Sequence, residues 1–191
     1  VRRIANSLAY RLSAQPNESN AEDSQSYARF YPRRLQAEVL LDGISQVLDV
    51  PTVFPGGGGG KFPVGMRAID LPDENVAVHF LDVFGRPART SACECERTDA
   101  PALAQALELV SSKEIQRKLT DKNGYASRLA GNTASHAENV QEIFLRVFSR
   151  NPRTEEMRTA VTFLESEKDR AEAYRSLLWA LLATNEFLFQ K

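Results

Sequence analysis

The sequence predicts a mainly α-helical fold: a multi-helix bundle with a small β-hairpin and one long irregular loop that contains both cysteines. Three observations predict this fold class. Apolar residues recur with the helical period through most of residues 99–191, where capping motifs separate the periodic segments. Two short β-prone runs, residues 66–71 and 76–83, flank a turn-forming Pro-Asp-Glu-Asn sequence. The stretch 79–97 is irregular and holds both cysteines.

Length and composition are those of one globular domain. The chain has 191 residues, of which 42% are hydrophobic and 26% charged, enough for one sizeable core. We expect an N-terminal helix and loop (1–31), a segment with a helix, a glycine-rich insertion, the hairpin and the cysteine loop (32–98), and a helical bundle (99–191). Because the chain starts at Val1 and enters a helical pattern at once, we expect it to be an excised part of a longer polypeptide.

The charges and the apolar runs exclude two classes of partner. With 24 basic and 25 acidic side chains, the net charge of -1 gives no electrostatic reason to expect nucleic acid or an anionic membrane surface. No apolar run approaches the ~20 residues that a membrane span requires, so we expect no such span.

The first third of the chain contains one clear helix pattern. Ile4, Leu8 and Leu12 lie four residues apart, as on one helix face. The polar segment 14–31 is typical of a surface loop. Apolar residues at helical spacing then predict a helix over residues 33–48.

The glycine run that follows resembles a phosphate-binding loop only at first sight. In that motif Ser or Thr follows the Gly-Lys pair and its hydroxyl binds magnesium, whereas Phe62 follows Lys61 here. No helix start follows, and phosphate loops use a helix N-terminus. We therefore interpret the run as a flexible insertion between Pro55 and Pro63.

Residues 99–191 contain several sequence motifs that are typical of helix starts. The first helix there has one apolar face, which we expect to be buried: Leu103, Ala106, Leu107 and Val110. Residues 111–114 and 135–138 match the capping box, in which a Ser and a Glu side chain satisfy backbone amides. Thr154 and Asp169 are expected to cap the last two long helices, so that three helices pack as antiparallel neighbours. Trp179 lies off the main stripe of the last helix, so it either packs on a second face or marks a contact surface.

Cys93 and Cys95 are two residues apart, so in an extended segment both sulfur atoms leave the same face. Three interpretations stay open. The pair supplies two metal ligands, completed by His79, His136 or an acid. Alternatively it forms a disulfide in kinked backbone, because two extended residues span ~6.6 Å, near the limit for bridged Cα atoms. The third interpretation is two reduced thiols.

We predict no cofactor. Covalent attachment of a c-type haem requires Cys-x-x-Cys-His, and this chain has Cys-Glu-Cys-Glu at residues 93–96. The segment therefore carries no such haem.

Charged side chains surround the cysteines. Arg86, Arg89 and Arg97 lie in the same segment as Glu94 and Glu96, which favours ion pairs that hold the loop or a small anion site.

Acidic residues and histidines near this loop offer two further kinds of site. Asp82 with Glu94 or Glu96 could serve as the acid and base of a hydrolase. Of the two histidines, His79 lies in an apolar run and is expected to be partly buried, and His136 in a first helical turn is expected to be solvated.

The sequence from Phe80 to Pro87, followed by the cysteine motif at 93–97, resembles the C-terminal domain of unknown function of large exported planctomycetal proteins. Other segments resemble that family as well: 6–17, 31–42, 67–72 and 177–189. The resemblance implies an exported location, a longer parent chain and an association with a c-type cytochrome domain or with polysaccharide breakdown. It also favours the disulfide, because oxidising compartments do. It implies no catalytic residue.

The function that these observations favour is a non-catalytic structural or interaction module that packs against upstream domains of the same polypeptide. One alternative is a metal or redox site at Cys93 and Cys95, serving a cytochrome-like partner. Another is an accessory to a polysaccharide-active hydrolase.

Overall fold

The computed structural model describes residues 1–23, 25–56, 60–72, 76–87 and 103–190, and over these ranges the chain is mainly helical. The helices are α1 (Arg2–Ala5), α2 (Ala37–Leu48), α3 (His79–Val83), α4 (Leu103–Ser111), α5 (Lys113–Leu119), α6 (Tyr125–Gly131), α7 (His136–Phe148), α8 (Thr154–Ser166), α9 (Arg170–Leu182) and α10 (Asn185–Leu188). Two 3-10 turns, Ala9–Arg11 and Ala68–Asp70, and two short strands, β1 (Arg33–Arg34) and β2 (Phe189–Gln190), complete the described elements. The mainly α class is confirmed. Among the described residues, no helix is long and apolar enough to cross a membrane.

The core gathers around α9, which contacts α5, α6, α7, α8 and α10. Tyr174 and Leu178 of this helix are fully buried. Trp179 lies on another side of α9, packs against the edge of the core, and its Nε1 donates a hydrogen bond to the Leu109 carbonyl at 3.2 Å. Apolar residues on several sides of α9 explain why it occupies the centre.

Helix α2 starts four residues later than the sequence predicts. Arg33 and Arg34 are extended and pair antiparallel with Gln190 and Phe189 at the end of the chain. The Leu35 amide extends this contact, donating to the Leu188 carbonyl at 2.8 Å. The paired residues are 155–157 positions apart in the sequence, so local periodicity could not reveal the pairing.

The C-terminal end of α2 is satisfied by a side chain from α7. Asp49 ends the helix in the left-handed conformation, with φ of 57°. Arg146 donates to the Gln46 carbonyl at 2.7 Å and to the Val47 carbonyl at 2.8 Å. These carbonyls would otherwise lack a helical partner, so Arg146 fixes α2 against the bundle.

The predicted β-hairpin is wrong. Residues 68–70 form a 3-10 turn, and the second β-prone run ends in α3. Asp42 stabilises this turn, because its carboxylate accepts hydrogen bonds from the backbone amides of Ala68 at 2.6 Å and Ile69 at 3.2 Å. Phe80 and Phe84, four residues apart, stack at 4.4 Å between ring centroids in the core. Tertiary contacts therefore override the β propensity of these runs.

The ends of the glycine run meet in a short antiparallel contact. Pro55 pairs with Lys61, and the Gly56 amide donates to the Gly60 carbonyl at 2.9 Å. The chain thus leaves and rejoins the body at one place, as an insertion would. Residues 57–59 lie outside the described residues.

The capping box predicted at residues 111–114 is wrong, because Ser112 and not Ser111 precedes α5, and the third residue of that helix is then Ile115 and not Glu114. Ser112 is the cap of α5 and accepts from the Ile115 amide at 3.5 Å. Ser111 instead remains in α4, where its hydroxyl donates to the Leu107 carbonyl at 2.7 Å. With two consecutive serines, the end of α4 decides which one caps.

The later helix starts agree better with the sequence. The capping box of Ser135 and Glu138 is confirmed, with both reciprocal hydrogen bonds present. Asp169 caps α9 as predicted. At α8 the cap is Arg153, and Thr154 is the first helical residue.

Candidate functional site

Helix α4 exposes the apolar face that the sequence predicts to be buried. Leu103, Leu107 and Val110 are 77%, 55% and 55% exposed, and Ala106 is exposed as well. We call these four residues the α4 stripe. The prediction that this face packs in the core is wrong.

Two polar contacts hold α4 in this orientation. The buried Gln105 donates to the Val83 carbonyl at the end of α3, at 3.2 Å. On the same helix the Leu109 carbonyl accepts the Trp179 hydrogen bond from α9. The helix therefore faces the body with Gln105 and Leu109, and its wider apolar stripe faces solvent.

Beside α4 lies a cleft of about 560 Å3, bounded by residues 52–55, 77–80 and 108–114. His79, the first residue of α3, stands in this cleft, and its Nε2 lies 3.5 Å from Oε2 of Glu108 in α4. The His79 side chain is 79% exposed, whereas that of Glu108 is 14% exposed. The expectation that His79 is partly buried is therefore wrong.

One wall of the cleft adjoins a charge cluster around the buried Lys118. Glu114 lines the cleft and lies 3.2 Å from the ammonium of Lys118, whose side chain is fully buried. Lys118 also donates to the Val50 carbonyl at 2.6 Å. Burial lowers the pKa of Lys118 to about 8. Burial works to raise the pKa of Glu114, but hydrogen bonding from Arg117 and the charge of Lys118 outweigh it, so that pKa is lowered.

Arg86 lies just after α3, and its side chain packs into the body of the protein. Its side chain is 7% exposed and donates to the Val76 carbonyl at 2.8 Å and to the Asp82 carboxylate at 3.0 Å. This pairing occupies one carboxylate oxygen of Asp82, the predicted candidate for a hydrolase acid or base. Arg86 therefore helps to fix the segment that leads into the cysteine loop.

The remaining predicted site residues lie outside the described residues: Arg89, Cys93, Glu94, Cys95, Glu96 and Arg97. The metal, disulfide and anion interpretations of this loop stay predictions. Within the described ranges, no group of three or more His, Cys, Asp or Glu side chains could hold a metal ion.

His136 was expected to be solvated, but it is half-buried and takes part in a polar network. Its Nδ1 lies 2.9 Å from the Tyr174 hydroxyl, which accepts a hydrogen bond from the side-chain amide of Asn139 at 2.7 Å. The hydroxyl has one proton, which is then available to His136. Asn139 also exchanges hydrogen bonds with Asn132, so this network holds α6, α7 and α9 together.

A second group of polar contacts, formed by Arg150 with Glu156 and Glu186, joins the ends of α7, α8 and α10. Arg150 donates two hydrogen bonds to Glu156 and two to Glu186, all between 2.7 and 2.8 Å. The hydrogen bonds from Arg150 hold the pKa of Glu156 down at about 2. Each carboxylate faces a guanidinium fork in the geometry that gives strong, oriented pairs, which suits a structural role.

Sequence reasoning missed Glu108, which lines the cleft, and Lys118, which is buried behind the cleft residue Glu114. Lys118 does carry a signal, because it falls three residues after Ile115 and next to Leu119 on the inward face of α5. Glu108 carries none, since its position depends on the unexpected rotation of α4.

Comparisons with known proteins give one result. Neither the curated proteins nor the solved structures yield a match to this chain. Residues 1–164 match the model of the family PSD1, described as a protein of unknown function (DUF1553). The match ends within α8, so α9 and α10 lie beyond it.

Proposed function

The chain belongs to this family of unknown function, and from that premise we propose that it is a non-catalytic interaction module of a longer, exported polypeptide. The α4 stripe is the observation that carries the proposal. An amphipathic helix normally turns its apolar side toward the core. In this protein that side is open to solvent while Gln105 is buried.

A partner that covers the stripe would remove apolar side chains from water. Burial of apolar surface stabilises an association by about 25 cal/mol per Å2 before the costs of binding are counted. Contiguous apolar surface on a soluble domain marks protein–protein contact sites. The stripe therefore supports docking onto a partner.

The partner we propose is a neighbouring domain of the same polypeptide. The four residues of the stripe carry no charge. Permanent interfaces are more apolar than transient ones, which resemble the ordinary protein surface. A contact with a covalently linked neighbour also avoids most of the entropic cost of association.

Hydroxyl-radical footprinting tests this contact. The isolated chain and the longest polypeptide that contains it would be labelled in parallel, and modification of Leu103 and Leu107 compared by mass spectrometry. We expect both residues to be protected in the longer polypeptide. Leu145 on α7, which is 46% exposed, is the internal control and should be labelled equally in both. Equal labelling of the stripe would overturn the proposal.

A stability measurement on the isolated chain separates docking from internal packing. Leu107→Glu should leave the melting temperature close to that of Leu145→Glu, because both side chains face solvent. If Leu107→Glu instead lowers it as much as Leu178→Glu in the core, the stripe is covered within the domain itself and the proposal fails.

The exported location is the part of the proposal that rests on the family resemblance. Cell fractionation of the source organism, with detection of the full polypeptide by antibody, tests it. A cytosolic polypeptide would contradict export but would leave the docking test unaffected.

A further inference from the structure

We propose that His79 and Glu108 bind a divalent transition-metal ion, such as zinc, as its two protein ligands at the mouth of the cleft beside α4. This site goes beyond the proposed docking function and does not require Cys93 or Cys95. It rests on the separation of the two ligand atoms, on their access to solvent and on the room around them.

The separation of the ligand atoms is the first argument. Nε2 of His79 and Oε2 of Glu108 are 3.5 Å apart. Hydrogen bonds between charged nitrogen and oxygen groups are shorter, about 2.7–2.9 Å. Zinc bonds nitrogen and oxygen at about 2.0–2.2 Å, and two such ligands at a tetrahedral angle lie about 3.3–3.5 Å apart. The pair is therefore spaced as ligands of one ion are.

The second argument is the difference in environment between the two side chains. The Glu108 side chain is 14% exposed, so packing restricts its movement, whereas the His79 side chain is 79% exposed and can adjust its ring. Among the described residues, His79 is the only ion-pair partner of the Glu108 carboxylate. A fixed carboxylate with an adjustable imidazole suits capture of an ion from solvent.

The third argument is the space beside the pair. The cleft of about 560 Å3 is open beside both residues, so water molecules can fill the remaining coordination positions. Glu114 lines the same cleft, but its carboxylate is engaged by Arg117 and Lys118. The site therefore has two protein ligands and leaves its other positions to water. Because structural zinc sites have four protein ligands and catalytic sites have three, we expect this site to bind zinc more weakly than either kind.

The experiment is a titration of the whole chain with zinc chloride, followed by nuclear magnetic resonance of the histidine rings. The chain has two histidines, so His136, hydrogen-bonded to Tyr174, is a control within the same sample. We expect the His79 ring resonances to shift in a saturable way while those of His136 stay in place.

Variants assign the second ligand. Glu108→Gln should weaken zinc binding, measured by the His79 shift, by about tenfold or more, since even the loss of groups that only orient ligands costs 10–100-fold. Glu165→Gln, at an exposed position on α8, is the matched control and should bind as the wild type does. The double variant Cys93→Ser/Cys95→Ser should retain the His79 shift.

Three outcomes would overturn the proposal: unchanged affinity in Glu108→Gln, a zinc effect that disappears only with the cysteines, or no saturable shift of His79. Thermal unfolding of each variant shows whether the fold is kept. Glu108→Gln preserves side-chain size, so its loss of binding tests the ligand and not the packing.

Discussion

Replacing Lys118 with Met should change the way in which stability depends on pH. The Lys118 ammonium is buried between the Val50 carbonyl and the Glu114 carboxylate. Burial lowers its pKa from the usual 10.5 to about 8. Between these two values, the unfolded chain binds a proton that the folded chain does not.

The sign of the effect follows from this difference. Because the unfolded state holds more protons between pH 8 and 10.5, the free energy of unfolding rises with pH across that window. One pKa unit corresponds to about 1.36 kcal/mol, so the lowered pKa of Lys118 is worth about 3 kcal/mol in total. Below pH 8 the folded protein bears the full cost of the buried charge, and above 10.5 that cost is gone.

Urea denaturation of the wild type and Lys118→Met, at pH values from below 8 to above 10.5, measures this contribution. Subtracting the two curves cancels the other titrating groups that both proteins share. We expect the wild type to gain about 3 kcal/mol relative to the variant across the window. The test uses the slope of this stability difference against pH and not its absolute value, because Met also removes the hydrogen bond to Val50 and so changes the stability at every pH.

Lys113→Met is the matched control, because Lys113 is an exposed lysine on the same helix. Its pH dependence should follow that of the wild type. Parallel curves for the wild type and Lys118→Met would refute the reasoning, since they would mean that Lys118 titrates alike in the folded and unfolded states.

Three other predictions follow from the polar contacts of the bundle. Tyr174→Phe should lower the free energy of unfolding by about 1–3 kcal/mol, because the buried Asn139 amide loses its hydroxyl acceptor; urea denaturation should detect this, and an unchanged midpoint would count against the network. Asp169→Ala should cost about 1 kcal/mol through loss of the α9 cap, whereas Asp169→Asn should cost less. Glu156→Gln should be less stable than the wild type above pH 4.5, and the difference should shrink as pH falls toward 2, because the hydrogen bonds of Arg150 stabilise only the ionised carboxylate; a difference that persists undiminished at pH 2 would exclude this linkage.

Much of the bundle could be predicted from local pattern. The stripe of Val140, Ile143 and Phe144 and the capping box of Ser135 identify α7 to within a residue of its start. Asp169 does the same for α9. In both helices a side-chain cap and an apolar period agree, and both signals act within a few residues.

The candidate site was much less predictable. The apolar residues of α4 do recur with the helical period, but this period does not determine which face of the helix packs against the rest of the domain. The hydrogen bonds of Gln105 to α3 and of Leu109 to Trp179 set that rotation, and with it the position of Glu108. The residues 66–83 have β propensity, yet Asp42 and the burial of Phe80 turn them into a 3-10 turn and a helix.

By itself, the sequence determined the mainly helical class, the existence of the long helices after residue 135 and their starts to within one residue, and the lack of a c-type haem motif. These properties depend on neighbours within one or two helical turns. Only the tertiary structure decided that the α4 stripe faces solvent, that His79 stands beside Glu108, and that Lys118 is buried against Val50. The two contacts join residues that lie 29 and 68 positions apart, and the exposure of the α4 stripe depends on the packing of several helices. These interactions therefore contribute to stability only once the core has formed.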